Sequence, residues 1–337
     1  MTAISVLVAA YNAASTLPQC LDSLCRQTLQ DIEVLCVDDC STDGTLALLQ
    51  DYASRDPRIH VFQTPVNSGQ AVARNLALQY VTSPYVCMVD ADDWLSKDCL
   101  MSAVTTLNTH PQTDCVLFHL IQHTVESGQE EEYALPVPLQ NGSAIRGMEA
   151  FELCLDGWRL HGLYATRTTL HRRYPFDAST RLYSDDNTAC LHYLHSREVR
   201  ACDGCYYYRK WTSSLTNVEH FHIHRFDFME ANLSLLMSLK KEAIPISLLR
   251  RFEGHRWLTF IACYRLFLQH RHELTPLEVE SLRPRFRTIL HTFRPTLLPL
   301  HDRWKPGYLL TSNICFFDLQ QRLYLVLKNI IMFARTR

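Results

Sequence analysis

Five short apolar runs rich in β-branched residues, Ile4–Ala10, Ile32–Val37, Ile59–Phe62, Tyr85–Val89 and Cys115–Ile121, alternate with stretches of helical period. Runs of this length, bounded by polar and turn residues, are buried strands rather than helices. Between the first two, Leu17, Leu21 and Leu24 repeat at i, i+4, i+7, with Ser15 or Thr16 as cap and Pro18 in the first turn. That pattern predicts an amphipathic helix. Leu46, Leu49 and Ala53 mark a second helix behind Ser41-Thr42-Asp43, and Val72, Ala73, Leu76 and Tyr80 a third behind Asn67-Ser68-Gly69. A fourth is expected from Lys97 to Asn108. Strand and helix in alternation require right-handed crossovers and an α/β fold, a mostly parallel sheet covered by helices on both faces. Ligands of such sheets bind beyond the carboxyl ends of the strands.

Residues 125–143 break the alternation with Glu130 to Glu132 and the prolines Pro136 and Pro138, and read as a surface excursion. Mixed strand and helix return over 162–174 and 183–209. After Asn217 long helical segments dominate, Phe226–Lys241, Leu248–His270 and Phe317–Ala334. The net charge of −2 hides an asymmetry: residues 1–150 hold 6 Lys+Arg and 18 Asp+Glu, whereas residues 238–337 hold 17 and 7. An acidic half suits a metal or sugar, and a basic half suits phosphate or a membrane surface. The 13 cysteines are scattered rather than clustered, which points to a reducing compartment. Met1-Thr2-Ala3 lacks the basic lead of a signal peptide, and Leu323–Phe333, broken by Lys328 and Asn329, falls short of the ~20 residues a spanning helix needs.

Carboxylates gather where the sheet would present them. Val37 runs into Asp38-Asp39-Cys40-Ser41-Thr42-Asp43-Gly44. Acids directly after a buried strand are poorly placed for packing; the plain alternative is a helix cap with solvated acids. An EF-hand loop is excluded, because its twelfth position would be Gln50 and a strand precedes it. Next, Tyr85–Val89 leads into Asp90-Ala91-Asp92-Asp93-Trp94. Acids at i and i+2 of an extended segment point the same way, so Asp90 and Asp92 can converge on one hard cation, such as a divalent ion bridging a diphosphate. The alternative is a solvated acidic loop. Finally, Ser184-Asp185-Asp186-Asn187 precedes the apolar run Cys190–Leu194. Ser184 or Asp185 could cap a helix there, and a carboxylate could serve as a general base.

Four segments, Val8-Ala9-Ala10-Tyr11-Asn12, Val37 to Thr45, Asn67-Ser68-Gly69 with Ala73-Arg74-Asn75, and Val89 to Asp93, resemble in order and spacing the family 2 glycosyltransferases of bacteria. The resemblance is tight over residues 1–110. It continues through Gly162-Leu163-Tyr164, Asp185-Asp186 and Tyr206-Tyr207-Tyr208-Arg209, with Leu163 where a Lys is common and Asp185 in place of the usual Glu.

The resemblance implies a GT-A (Rossmann-like) domain over 1–217, with a nucleotide-binding half 1–115 and an acceptor half 116–217, and leaves 218–337 as a basic helical extension. It implies a nucleotide-sugar donor, usually a uridine diphosphate sugar, a Mn2+ or Mg2+ ion, and transfer with inversion. Tyr11 would stack on the base, Asp38 would bond its uracil edge, Ala9 would line the pocket, Asp39 would lie near the ribose, and Arg74 near the base or phosphates. Asp92 would be the direct metal ligand and Asp90 would act through ribose or metal-bound water, with Asp93 a lesser neighbour. In the acidic pair, Asp185-Asp186, Asp186 matches the catalytic base. The acceptor would be a saccharide or a lipid-linked saccharide in polysaccharide biosynthesis. The enzyme would be cytoplasmic, or peripheral at the inner membrane face through its basic helices.

The residue types suit this chemistry independently. A metal stabilises charge on the departing diphosphate, and one carboxylate suffices to take the acceptor proton, whereas glycoside hydrolysis ordinarily uses two. The leading rival is a non-catalytic protein that keeps the fold for nucleotide binding or assembly. A dinucleotide oxidoreductase lacks its G-x-G-x-x-G, and a nucleotidyltransferase would need a basic loop where Asn12 to Pro18 has none. Cys202 and Cys205 with His192 and His195 mimic zinc spacing but are better read as free thiols and scaffold. His220, His222 and His224 could complete a metal shell, although a solvated loop explains them; Trp211 could shape an acceptor site or simply pack. No nucleic-acid motif accompanies the basic helices.

Overall fold

β-Branched and sulfur-bearing runs can be buried on both faces, and these runs form the centre of one sheet, with Glu33 the one acid inside them, bonded to the Thr82 N–H (2.9 Å). The computed structural model describes residues 2–155, 159–211, 221–242, 244–298 and 307–335, apart from the side chains of 184, 185, 329 and 331–335. The chain divides into two units, Met1–His220 and Phe221–Arg337. The boundary expected after residue 217 falls within 212–220, outside the described residues.

In the first unit β1 (Ile4–Ala10), α1 (Leu17–Cys25), β2 (Ile32–Asp38), α2 (Thr45–Arg55), β3 (Ile59–Gln63), α3 (Gln70–Tyr80) and β4 (Tyr85–Met88) follow the expected alternation. A short β5 (Trp94–Leu95), α4 (Cys99–Thr109) and the long β6 (Thr113–Thr124) come next. Then follow β7 (Glu130–Glu132), α5 (Val137–Gln140), β8 (Ile145–Arg146), α6 (Gly147–Leu155), β9 (Tyr164–Arg167), α7 (Thr168–Arg173), α8 (Ser184–Leu194) and β10 (Glu198–Lys210). The sheet order is β3-β2-β1-β4-β9-β6-β10-β5, with β7 on β6 and β8 on β10. β3, β2, β1 and β4 are mutually parallel, as are β6 and β10, while β9 and β5 run against their neighbours. The sheet is therefore mostly parallel.

Alternation along β1 serves two cores. Val6 and Val8 pack with Leu21 and Leu24 of α1 and Leu100 and Leu107 of α4, whereas Leu7 packs with Leu35, Val37 and the alanines of α3. Each fully buried leucine or valine here contributes roughly 1.5–3 kcal/mol. α1 and α4 thus cover one face of the sheet and α3 the other.

One sequence expectation needs correction. Residues 125–143 are not a bare excursion: β6 continues to Thr124, β7 folds back on it, and Leu135 and Leu139 are buried. Two apolar anchors in a polar stretch carry no periodicity to reveal them. In β10, the five residues Ala201 to Cys205 span the same rungs as the three residues Leu117 to His119 of β6. Gly204 lies in this irregularity, where a Cβ would come within 2.6 Å of the Cys99 Cα at the start of α4.

The second unit begins with a 3-10 turn, Ile223–Phe226, followed by α9 (Asp227–Leu239), α10 (Ile246–His270), α11 (Pro276–Leu290) and α12 (Ile314–Arg335). Thr275 and Glu278 form a reciprocal capping box at the start of α11. Its core is aromatic, with Phe226, Trp257, Phe260, Phe286 and Phe317 buried together.

Candidate active site

The first wall of the site is made where β1 and β2 end side by side, Ala10 paired with Asp38. The loops that follow are laced together. Asn12, at φ +49°, donates its backbone N–H to the Ser41 hydroxyl (3.0 Å) and accepts from the Thr42 N–H (2.8 Å). Asparagine tolerates this left-handed conformation better than most residues. Asp43 accepts from Ala14 and Thr45, and the Thr45 hydroxyl holds its carboxyl below the usual range.

Asp38 is fully buried. Its Oδ2 accepts from the Ser41 N–H (3.2 Å) and Gln63 Nε2 (3.1 Å), while its Oδ1 has no hydrogen-bond partner among the described residues. A buried carboxylate oxygen left bare costs free energy unless a ligand donor meets it. Tyr11, next along from Ala10, leaves its ring half exposed (49%), and Ala9 is partly buried. Asp39 is buried and occupied: its oxygens accept from Thr64 Oγ1 and the N–H groups of Ser68 and Gly69, clasping the turn that enters α3.

The acidic cluster does not sit on an extended segment, as the i, i+2 argument assumed. β4 stops at Met88, and Asp90 to Asp93 form a turn closed by the Asp93 N–H on the Asp90 carbonyl (3.0 Å). The turn gathers a carboxylate oxygen from each of Asp90, Asp92 and Asp93 within 4.8 Å of one another. Three neighbouring anions repel, and Asp92 registers it: burial, and then the charge of Asp90, push its carboxyl up to about 6. Asp93, more deeply buried, lies well above the usual carboxylate range for the same two reasons.

Cations brace this turn from two sides. Arg74 of α3, itself buried, bonds the Asp90 carboxylate and lies over the Phe176 ring (5.3 Å). From β10, Arg209 Nε donates to the Asp92 carbonyl (2.6 Å), another guanidinium nitrogen bonds Gln19 of α1, and the group lies over Trp94 (4.9 Å). Asp93 accepts from the Tyr206 hydroxyl (2.8 Å) and the Arg209 N–H (2.7 Å), and the Asp90 N–H donates to the same tyrosine oxygen (3.1 Å). The sequence reading missed these structural roles of Tyr206 and Arg209. Its one available signal was the run of three tyrosines and an arginine ending a long strand. A groove of about 480 Å³ lined by Gln19, Asp22, Arg26, Trp94 and Lys97 opens beside Arg209, and none of the three carboxylates lines it.

The acidic pair opens α8. Tyr183, at φ +67°, occupies the N-cap in place of Ser184 or Asp185. Asp186 stands in the first turn, partly buried; the side chain of Asp185, like His220, lies outside the described residues. The segment leading into α8 is tied to α3 and the loop before it. The Asn75 side chain bonds the Phe176 backbone in both directions (2.8 and 2.9 Å), and Arg181 donates to the Asn67 carbonyl (3.3 Å). α3 therefore anchors both the partner of Asp90 and the approach to the acidic pair. Elsewhere, the nitrogens of His192 are engaged by Tyr164 (2.6 Å) and the Tyr174 carbonyl (2.8 Å), and His224 bonds Asp227 (3.1 Å) within the second unit.

Residues 5–172 match the family described as Glycosyl transferase family 2. An uncharacterized glycosyltransferase EpsJ of Bacillus subtilis is 28% identical over 227 residues, 64% of each chain. A poly(ribitol-phosphate) beta-glucosyltransferase of Bacillus spizizenii is 38% identical over 101 residues, 29% of this chain and 16% of that one. The chain thus spans less than two thirds of the length of these curated relatives. Among solved structures, S. aureus TarS 1-349 superposes with a TM-score of 0.66 at 19% identity, covering 96% of this chain and 91% of that one. The same TarS fragment in complex with UDP-GlcNAc gives 0.64 at 21% identity, with the same coverage. This likeness shows a GT-A type of fold with its helical C-terminal region.

Proposed function

We propose that this chain, which belongs to glycosyl transferase family 2, transfers a sugar from a nucleotide diphosphate donor, a UDP-sugar, to a hydroxyl of a saccharide or lipid-linked acceptor, with inversion and with Mn2+ or Mg2+. The observation that carries the reading is the turn of three mutually repelling carboxylates, beside a wall where buried Asp38 keeps one oxygen free of partners. The cluster fits a hard divalent cation: oxygen donors only, gathered within 4.8 Å of one another, with burial and then the charge of Asp90 raising Asp92 to about 6. Asp92 would hold such an ion, with Asp90 supporting it, and the ion would supply positive charge opposite the departing diphosphate.

The chain's own residues supply the rest. Tyr11 stacks on the base, the bare Asp38 oxygen accepts its N–H, and Ala9 lines the pocket. Asp39 shapes the ribose side through the turn it clasps, and Arg74 sets the Asp90 carboxylate while its charge favours the phosphates. Asp186 accepts the acceptor proton as the new glycosidic bond forms, with Asp185 beside it. TarS with UDP-GlcNAc supports the donor class, and the ribitol-phosphate glucosyltransferase supports a polymer acceptor.

A thermal-shift screen of nucleotide sugars with Mn2+ identifies the donor, and radiolabelled transfer then tests the base. Asp186→Asn should abolish transfer and leave donor binding within about twofold. An Asn variant with wild-type turnover would remove the assignment. A wild type that binds donor yet neither transfers nor hydrolyses the sugar would make the protein a non-catalytic binder.

A further inference from the structure

α12 buries one side and leaves the other bare. Phe317 packs on Trp257, Phe260 and Tyr264, and Gln321 is fully buried. On the far side Phe316, Leu319, Leu323, Val326, Leu327 and Ile330 are 48 to 59% exposed, spaced at three and four residues along one continuous stripe. An apolar face of this extent on a water-exposed helix marks an interaction surface. Its charges indicate which kind. The acid on the helix, Asp318, is already held by Tyr264 (3.0 Å) and Arg322 (2.7 Å), and among the described residues its exposed charged side chains are Arg322, so engaged, and Lys328. Residues 221–337 carry 18 Lys+Arg against 9 Asp+Glu. A second copy of the helix would offer Lys328 no free acid, since Asp318 is spent on Arg322 and Tyr264.

We propose that the exposed face of α12 docks on an anionic lipid bilayer, lying in the interface with the apolar stripe in the acyl boundary and the basic residues at the headgroups. The helix does not cross: no described helix is long and apolar enough to do so. The proposal does not rest on the sugar transfer.

Flotation of the full chain tests it, with vesicles of phosphatidylcholine alone and with about one third phosphatidylglycerol. The chain should float with the anionic vesicles at low salt and detach severalfold at about 0.5 M salt. The Leu323→Asp/Ile330→Asp double variant should lose about tenfold or more of the bound fraction. Both side chains are exposed, so the thermal midpoint should hold. The single Lys328→Glu variant, which changes no apolar contact, should lose about fivefold. The proposal is overturned if the wild type stays at the bottom at low salt, or if both variants float as it does. It is equally overturned if the chain ignores vesicles and forms a dimer that the double variant dissociates.

Discussion

Charge is buried in both units, but on opposite terms. In the helical unit Glu253 and Arg256 face each other on α10, both nearly inaccessible, and every strong partner is supplied locally. Glu253 also accepts from the Arg294 N–H (3.0 Å), Arg256 donates to Thr292 (2.8 Å), and the guanidinium lies over Phe293 (4.7 Å). In the sheet unit the turn at residues 90–93 concentrates three carboxylates, and its two arginines stand at the flanks instead of between them. The first arrangement pairs opposite charges within its own unit and serves as scaffold. The second keeps three like charges together and braces them from the sides.

That contrast can be broken by substitution. Asp92→Asn removes a repelling charge, so transfer should fall about a thousandfold while the melting midpoint holds or rises. Paired kinetics and calorimetry check this; a midpoint several degrees lower with activity retained would make the turn scaffold. Glu253→Ala should do the reverse. It strands a buried guanidinium and should cost about 3 kcal/mol or more in denaturant unfolding of the second unit, yet leave kcat of the folded fraction near wild type.

The third test uses pH and should have the smallest effect. Burial pushes His161 and His192 of the sheet unit down to about 4, and holds His171 well below its usual value. A histidine whose folded value is depressed gives stability that is complete above its unfolded value near 6.5 and is lost as pH falls toward the folded one. From pH 6.5 to 5 each should cost at most about 2 kcal/mol. Urea unfolding at the two pH values should show the sheet unit weakening more than the helical unit, where burial lowers His255. Equal slopes would mean that the imidazoles are solvated.

Much of this was readable from the chain alone. The strands stand where the β-branched runs end, because a doubly covered sheet leaves little freedom in its composition. Asp38, Asp90 and Asp92 could be singled out because acids after such runs have no packing role. What the sequence withheld depends on long-range pairing. Asp93 and Tyr206 lie 113 residues apart, and Arg209 and Gln19 lie 190 apart. Nothing local distinguishes those partners from ordinary strand and helix residues. The turn geometry of the acidic cluster was hidden too, since the same residues suit an extended arm and a closed loop.

Gly204 makes β10 a ruler. The strand spends two more residues than its neighbour between the same rungs, in a gap that admits hydrogen but not carbon, and only beyond it do Tyr206 and Arg209 reach the acidic turn. Deleting Asp203 and Gly204 would keep the inside-outside alternation and still set both side chains some 6–7 Å out of step. Length is therefore as much a part of the bracing of this acidic turn as the identity of any residue in it.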